Sequence, residues 1–403
     1  MRIAHVITRM ILGGAQENTL LSCEGSLRRY DANVLLITGP ALGPEGSLLE
    51  RARAGGVPLE IVPELRRAIH PWRDWQSYRR IKQILRDFRP DVVHTHSAKG
   101  GIIGRAAAFE LHVPAIVHTV HGAPFHPFQS SLVREFSRRC EHWAARRCHA
   151  LVSVSEAMTE LLVSNQVAPR AKFTTIYSGL EIEPLLAADS SRETIRDELG
   201  YAPDDLVIGT IARLSPLKGH EYLIGAAPAI VAARPDVRFL LVGDGPLHKR
   251  LASQVAATGL ADRFKFLGLV GPERIPGLIA AMDMVVHTSL REGLARALVQ
   301  SLLVGRPVIS YDVDGAREVV LDGETGYLLP PQSSDDLVRA VIGLTADPAL
   351  RARMGATGRR LFADRFRHER MVDDLHRLYE RLLAQSPTRA RRASEGRASS
   401  FPR

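Results

Sequence analysis

The sequence predicts an α/β protein of two doubly wound domains in tandem, each a parallel sheet with helices on both faces. Three observations predict it. Short apolar runs alternate with amphipathic segments through most of the 403 residues, the pattern of βα units. The alternation forms two series, parted by a turn-rich stretch from Ser178 to Asp189 that loses periodicity. Length and a 45% apolar content suit two ordinary globular cores.

In chain order, the first series places strands at Ile3–Thr8, Asn33–Thr38, Leu59–Val62, Val92–His96, Ala115–Thr119 and Ala150–Ser153, with helices such as Gln16–Arg29 and Trp75–Phe88 between them. The second places strands at Val207–Ala212, Arg238–Val242, Phe264–Leu267, Met284–His287 and Pro307–Ser310. Its helices are Glu221–Ala233, Pro246–Thr258 and Ala295–Val304. After Leu329 the pattern is helical, over Asp335–Leu344, Pro348–Arg365 and Glu369–Leu383. The predicted domains are 1–185 and 186–365. A helix over 366–384 returns to the first domain, and a basic tail over 385–403 lacks apolar periodicity and is expected to be disordered.

Charge is uneven. Residues 1–185 carry 23 Lys and Arg against 17 Asp and Glu, net +6, whereas 186–384 are net −1 and the tail net +4. A basic first half suits an anionic lipid surface or an acidic substrate, although arginine-rich solvated surface gives the same balance. The run Arg66, Arg67, Trp72, Arg73, Trp75, Arg79, Arg80 and Lys82 interleaves cations with tryptophan, a composition that suits a membrane interface. Cys23, Cys140 and Cys148 have neither metal spacing nor an even disulfide framework and read as reduced thiols of a cytoplasmic protein. No apolar stretch is long enough to span a bilayer, so any membrane contact is peripheral, at the inner face.

The candidate chemistry lies on loops that leave strand ends, where open α/β sheets bind ligands. Gly13 and Gly14 follow the first strand and precede a helix, so backbone approaches a phosphate closely there. The dinucleotide fingerprint GxGxxG is absent. Arg213 and Lys218 sit on the loop ARLSPLKGH and suit a diphosphate. Gly243 opens another strand-to-helix turn, VGDGP. The segment SLREGLARALVQSLLVGRPVIS, 289–310, sets Glu292 and Gly293 before a helix N-terminus, with Leu294 and Ala295 at its entry. Glu292 is there a capping residue or a hydroxyl acceptor beside a bound phosphate. His121 and Gly122 end a strand of the first domain, and the imidazole suits a sugar hydroxyl or developing charge. His94 and His96 share a strand face, but no third ligand of clean spacing is visible and no metal is expected. Asp312 and Asp314 form a DxD string read as turn chemistry.

These residues resemble a known family. GGAQ at 13–16, HG at 121–122, SVSEAM at 153–158, ARLSPLKG at 212–219, VGDGP at 242–246 and REGLARALVQSLLVGRPVI at 291–309 look like the retaining glycosyltransferases of GT-B type, in the large fourth family with many bacterial polysaccharide and glycolipid enzymes. The resemblance covers about residues 1–384. It implies two facing Rossmann-like domains with a nucleotide-sugar donor, most commonly a UDP-sugar, in the cleft. By the same resemblance Arg213 and Lys218 hold the diphosphate, aided by backbone amides near Gly14 and Leu294. His121 lies near the donor sugar, Glu292 contacts its hydroxyls, and neither metal nor cofactor takes part. The family commonly has a second Glu holding the ribose where this chain has Gln300, and Asn-Gly-x-Asp where it has Ser178-Gly179-Leu180-Glu181.

The expected acceptor is a sugar, a lipid-linked sugar or a polyol in cell-envelope or exopolysaccharide synthesis, and nucleic acid is not an expected partner. Two alternatives stay open on the residues alone. Gln300 suggests a donor-binding subunit without catalysis. An α/β oxidoreductase is disfavoured by the missing fingerprint.

Overall fold

The computed structural model describes residues 1–386. The chain forms two compact units, one of Met1–Leu180 with the segment from His368 onward, the other of Glu181–Arg367. The division thus falls between residues 180 and 181, close to the expected boundary after 185. From residue 387 the expected basic tail lies outside the described residues.

The first unit holds seven parallel strands: β1 (Arg2–Arg9), β2 (Asn33–Gly39), β3 (Leu59–Ile61), β4 (Val92–His96), β5 (Ala115–Val120), β6 (Ala150–Ser153) and β7 (Phe173–Thr175). Their order is β3-β2-β1-β4-β5-β6-β7. The second holds six: β8 (Leu206–Ile211), β9 (Val237–Val242), β10 (Phe264–Gly268), β11 (Met284–His287), β12 (Val308–Tyr311) and β13 (Gly326–Leu329), in the order β10-β9-β8-β11-β12-β13. Each order reverses once, between β1 and β4 and between β8 and β11. These are the switch points at which doubly wound sheets open a ligand crevice.

The central strands are apolar because helices cover both faces. β1, β4 and β5 are exceptions: His5, His94, His96 and His118 are buried in them. One core of the first unit gathers Ile3, Leu20, Leu36, Val92 and Val117. The helix His368–Ala384 completes it with Met371, Leu375, Leu378 and Tyr379. Asp373 anchors this returning helix through Arg29, at 3.0 and 2.9 Å, and the Tyr30 hydroxyl, at 2.7 Å. Gly179 lets the helix start come close, since a Cβ there would lie 2.4 Å from the His368 Cα. The opposite face packs the helices Pro71–Phe88, Ala98–Glu110 and Ser131–Ala145 side by side, through Ile81, Leu85, Ile103, Ala107 and Ala145.

Two strands depart from the sequence expectation. β7, FTT, holds one apolar residue, and β13, GYLL, starts on glycine and runs into two prolines, so neither makes an apolar run bounded by turns. The helix expected from Trp75 begins at Pro71, with proline in its first turn and the His70 imidazole accepting from the Arg73 amide. The helix expected over 348–365 ends at Phe362.

Candidate active site

In the second unit the loop after β8 is clamped from both sides. Toward β9, the Leu214 amide donates to the Asp244 carbonyl and the Leu247 amide to the Leu214 carbonyl, each at 3.0 Å. Gly243 permits this contact. Its φ is +132°, and a Cβ would sit 2.2 Å from the Ala212 carbonyl oxygen. Toward β11, Thr288 donates to the Gly219 carbonyl at 2.8 Å, and the Leu290 amide and Ser289 hydroxyl donate to the Leu217 carbonyl at 2.8 and 3.1 Å. Gly219, at φ +68°, would place a Cβ 1.9 Å from the Thr288 carbonyl oxygen.

This clamp delivers Lys218 to Glu292. The ammonium pairs with one carboxylate oxygen, and the His287 imidazole Nε2 lies 2.9 Å from the same oxygen. Behind them the Glu292 amide donates to Asp314 at 2.6 Å, which fixes the turn. Burial works to raise the Glu292 pKa, but the Lys218 charge and the His287 contact overcome it and hold the carboxyl well below the usual carboxylate range. Burial raises the Asp314 pKa, against the Glu292 amide and Arg291. Glu292 is therefore an anchored carboxylate and not the helix cap that the sequence also allowed. The helix is Arg296–Val304, its N-cap is Ala295, and no side chain caps it. Gly293, Leu294 and Ala295 form the buried turn between Glu292 and the helix, and Gln300 is half-buried on the helix itself. Arg213 is exposed at the start of the clamped loop.

The four loops at Arg213, Gly243, Leu269 and Glu292 leave β8, β9, β10 and β11, which are neighbours in one sheet. Two partners of Glu292 were missed from the sequence. His287 is a polar end to an apolar strand, a signal that could have pointed to it. Asp314 was assigned to turn chemistry, and its neighbour Asp312 does pair with Arg317 inside such a turn, at 2.6 Å. Nothing local tied Asp314 to Glu292.

In the first unit Gly13 is the N-cap of the helix Gly14–Tyr30, which has no side-chain cap. Gly13 is extended, and a Cβ there would meet only the end of the Gln16 side chain, at 2.7 Å. The glycine keeps space open at the helix start and is not required by the backbone conformation. On β4 and β5 the histidines form a chain. His121 Nε2 lies 3.2 Å from His96 Nδ1, and His96 Nε2 lies 3.0 Å from His5 Nδ1. His94 contacts the Tyr379 hydroxyl at 2.5 Å and the Thr119 hydroxyl at 2.7 Å.

The expectation that His94 and His96 lack a third partner is corrected here. His5, from β1, offers a ring nitrogen within 4.8 Å of theirs. It was overlooked because parallel pairing sets His5 beside His94 although 89 residues separate them. Both nitrogens of His94 and of His96 already contact protein groups, and a divalent ion there would displace those contacts with no carboxylate in the group to offset its charge. Burial is the main cause that pushes His5 down to about 3 and holds His94 and His96 well below the imidazole range.

Two doubly wound sheets with polar loops at the carboxyl ends of their strands form a ligand-binding architecture, and comparison with known proteins assigns its class. The family model for glycosyl transferases group 1 matches residues 191–361, and that for a glycosyl transferase 4-like domain matches residues 13–179. The chain belongs to the glycosyltransferases of GT-B fold. It is 28% identical over 382 residues to the UDP-Gal:alpha-D-GlcNAc-diphosphoundecaprenol alpha-1,3-galactosyltransferase of Escherichia coli, covering 94% of this chain and 96% of that one. It is 27% identical over 303 residues to the alpha-D-kanosaminyltransferase of Streptomyces kanamyceticus, 72% and 77% of the two chains. Among solved structures, Anabaena Alr3699/HepE in complex with UDP and glucose superposes with a TM-score of 0.81 at 23% identity, over 94% of this chain and 99% of that one.

Proposed function

We propose that the protein transfers a hexose from a UDP-sugar to a lipid-diphosphate-linked sugar, with retention of configuration and without a metal ion. The observation that carries this reading is the clamped loop that brings Lys218 to Glu292 at the switch point of the second sheet. When the bond from the anomeric carbon to the β-phosphate oxygen breaks, the electron pair leaves with the diphosphate. Arg213, Lys218 and the backbone amides of Gly293, Leu294 and Ala295 are the groups assigned to that growing charge, with Gly243 shaping the loop. The two cations are assigned the charge stabilisation that a divalent ion would otherwise give. Glu292 is assigned to hydroxyls of the transferred sugar and Gln300 to the ribose.

The nucleotide is supported by the UDP and UDP-glucose complexes of Alr3699/HepE. The acceptor is supported by the named substrate of the Escherichia coli relative, which aligns over nearly the full length of both chains. The test is transfer from a panel of UDP- and GDP-sugars to a polyprenyl-diphospho-N-acetylglucosamine, with product configuration read by NMR. Turnover of a UDP-sugar, unchanged by a chelator, with the donor's anomeric configuration kept, is expected. Tight UDP binding without turnover of any donor would leave the non-catalytic subunit that Gln300 suggests.

A further inference from the structure

The chain contains three tryptophans, Trp72, Trp75 and Trp143, and all three are exposed. So are most of its other exposed large apolar side chains on the same two segments of the first unit. Ile69, Trp72 and Trp75 stand at and before the start of the helix Pro71–Phe88. Phe128, Leu132, Val133 and Phe136 stand at the start of Ser131–Ala145, with Leu132 83% and Phe136 60% exposed. Leu132, Phe136 and Trp143 are spaced four and seven residues apart and form one stripe along that helix. Both helices run back toward the start of the next strand, so both begin at the carboxyl edge of the sheet, the edge that also carries His121. The helix between them, Ala98–Glu110, is largely buried.

Cations frame this apolar surface. Arg66, Arg67, Arg79 and Arg80 are exposed on this segment, Arg79 stacks over the Trp75 ring at 5.0 Å, and the nearby acids are matched, Glu60 by Arg80 and Asp74 by Lys99. Arg134, Arg139 and Arg146 are exposed on the second helix, and Arg147 covers Trp143 at 3.7 Å. The acids of the second helix are already matched. Glu135 pairs with Arg138 and Arg139, and Glu141 is buried against Arg105. Apolar side chains in a basic frame, with tryptophan at the margin, match the headgroup boundary of an anionic bilayer.

We infer that this face of the first unit docks on anionic phospholipid, with the stripe Leu132–Phe136–Trp143 lying at the boundary of headgroups and acyl chains. The expected interfacial run thus extends from 66–82 to a second helix that its lower tryptophan content had hidden. Docking does not depend on the proposed reaction. Only its use, to present the carboxyl edge of the sheet to a membrane-borne acceptor, rests on that reading.

The experiment uses the full chain and vesicles of phosphatidylglycerol with phosphatidylcholine, without donor or acceptor. Cosedimentation that fades with salt, together with quenching of tryptophan fluorescence by brominated acyl chains, is expected. Every tryptophan lies on the proposed face, so the quenching has no interior background. Leu132→Glu with Phe136→Glu replaces exposed side chains and should weaken vesicle binding by roughly tenfold or more, with the circular dichroism spectrum and UDP affinity unchanged. Arg134→Glu with Arg139→Glu should weaken binding to anionic vesicles and flatten its salt dependence. Sedimentation without quenching would overturn the inference. So would a wild-type dimer, made monomeric by the Leu132 and Phe136 substitutions, that ignores vesicles, because a second copy would then cover the face. If vesicles bind and no lipid-linked acceptor is used, the docking stands and the acceptor reading fails.

Discussion

Lys218 and Glu292 were legible in the sequence as separate groups, a cation for the diphosphate and a carboxylate for sugar hydroxyls. The structure joins them in one ion pair, and the joining changes what substitution does. Glu292→Gln keeps the shape, removes the charge and leaves the Lys218 ammonium without its carboxylate. Free UDP should then bind as tightly as to wild type or more tightly, while transfer falls by about a hundredfold or more. Lys218→Met should instead cost UDP binding roughly 1.5–3 kcal/mol, the range for a charged hydrogen bond. Calorimetry with UDP separates the two, and parallel loss in both variants would refute the assignment. Asp314 escaped notice because its link to Glu292 spans 22 residues, and His287, only five residues before Glu292, because it reads as the end of an apolar strand. Gln300 offers a second measurement. An amide accepts from ribose hydroxyls more weakly than a carboxylate and also donates. Gln300→Glu should remain active with donor affinity within about tenfold of wild type, and Gln300→Ala should bind donor more weakly than either. Equal affinity of wild type and Gln300→Ala, for both ribose and 2′-deoxyribose donors, would take Gln300 away from the ribose.

Among the elements, strands were readable where both faces are buried, because such strands are continuous apolar runs. β7, FTT, has one apolar residue and β13, GYLL, begins on glycine before two prolines, so neither forms such a run. Loops were readable by composition but not by the clamp that holds them. Gly219 and Gly243 marked turns in the sequence. Only the structure shows that each brings the loop after β8 against a neighbouring backbone. Both combine positive φ with a Cβ position filled by a carbonyl oxygen, so alanine is strained twice. Gly219→Ala and Gly243→Ala should each cost about 1–3 kcal/mol of stability and weaken UDP binding, because Arg213 and Lys218 ride on the displaced loop. Gly225→Ala is the control, since nothing lies within 4 Å of its added Cβ and it sits inside a helix. It should be neutral or stabilising by up to about 1 kcal/mol. Denaturant midpoints and UDP titration of the three variants check this, and a neutral Gly243→Ala would show that the clamp is not needed.

Across the whole molecule, the two units differ in how they keep histidine. In the first, burial is the largest cause that pushes His5 down to about 3 and holds His94, His96 and His118 well below the ordinary imidazole range. In the second, the comparable imidazole among the described residues is His220, pushed down to about 4, again mainly by burial. Each such group binds a proton more readily unfolded than folded. Between about 6.5 and the folded value, the unfolded chain therefore carries the extra proton, and stability falls as pH falls. The slope is at most about 1.4 kcal/mol per pH unit for each group, and four fully buried groups, with the less buried His149 and His376 lowered in the same direction, act on the first unit against one on the second. The His94 contact to Tyr379 extends this dependence to the returning helix, whose side chains complete the first unit's core. Calorimetric scans from about pH 7 to about pH 5.5 should therefore show the first unit's transition moving down faster than the second's. Truncation after Arg367 should lower the first unit's transition and spare the second, which identifies the peaks. His5→Phe removes one titrating group and should make the first unit's pH slope shallower, whatever it does to the midpoint. If both transitions move in parallel with pH, or if His5→Phe leaves the slope unchanged, the buried histidines do not govern the acid response of the fold.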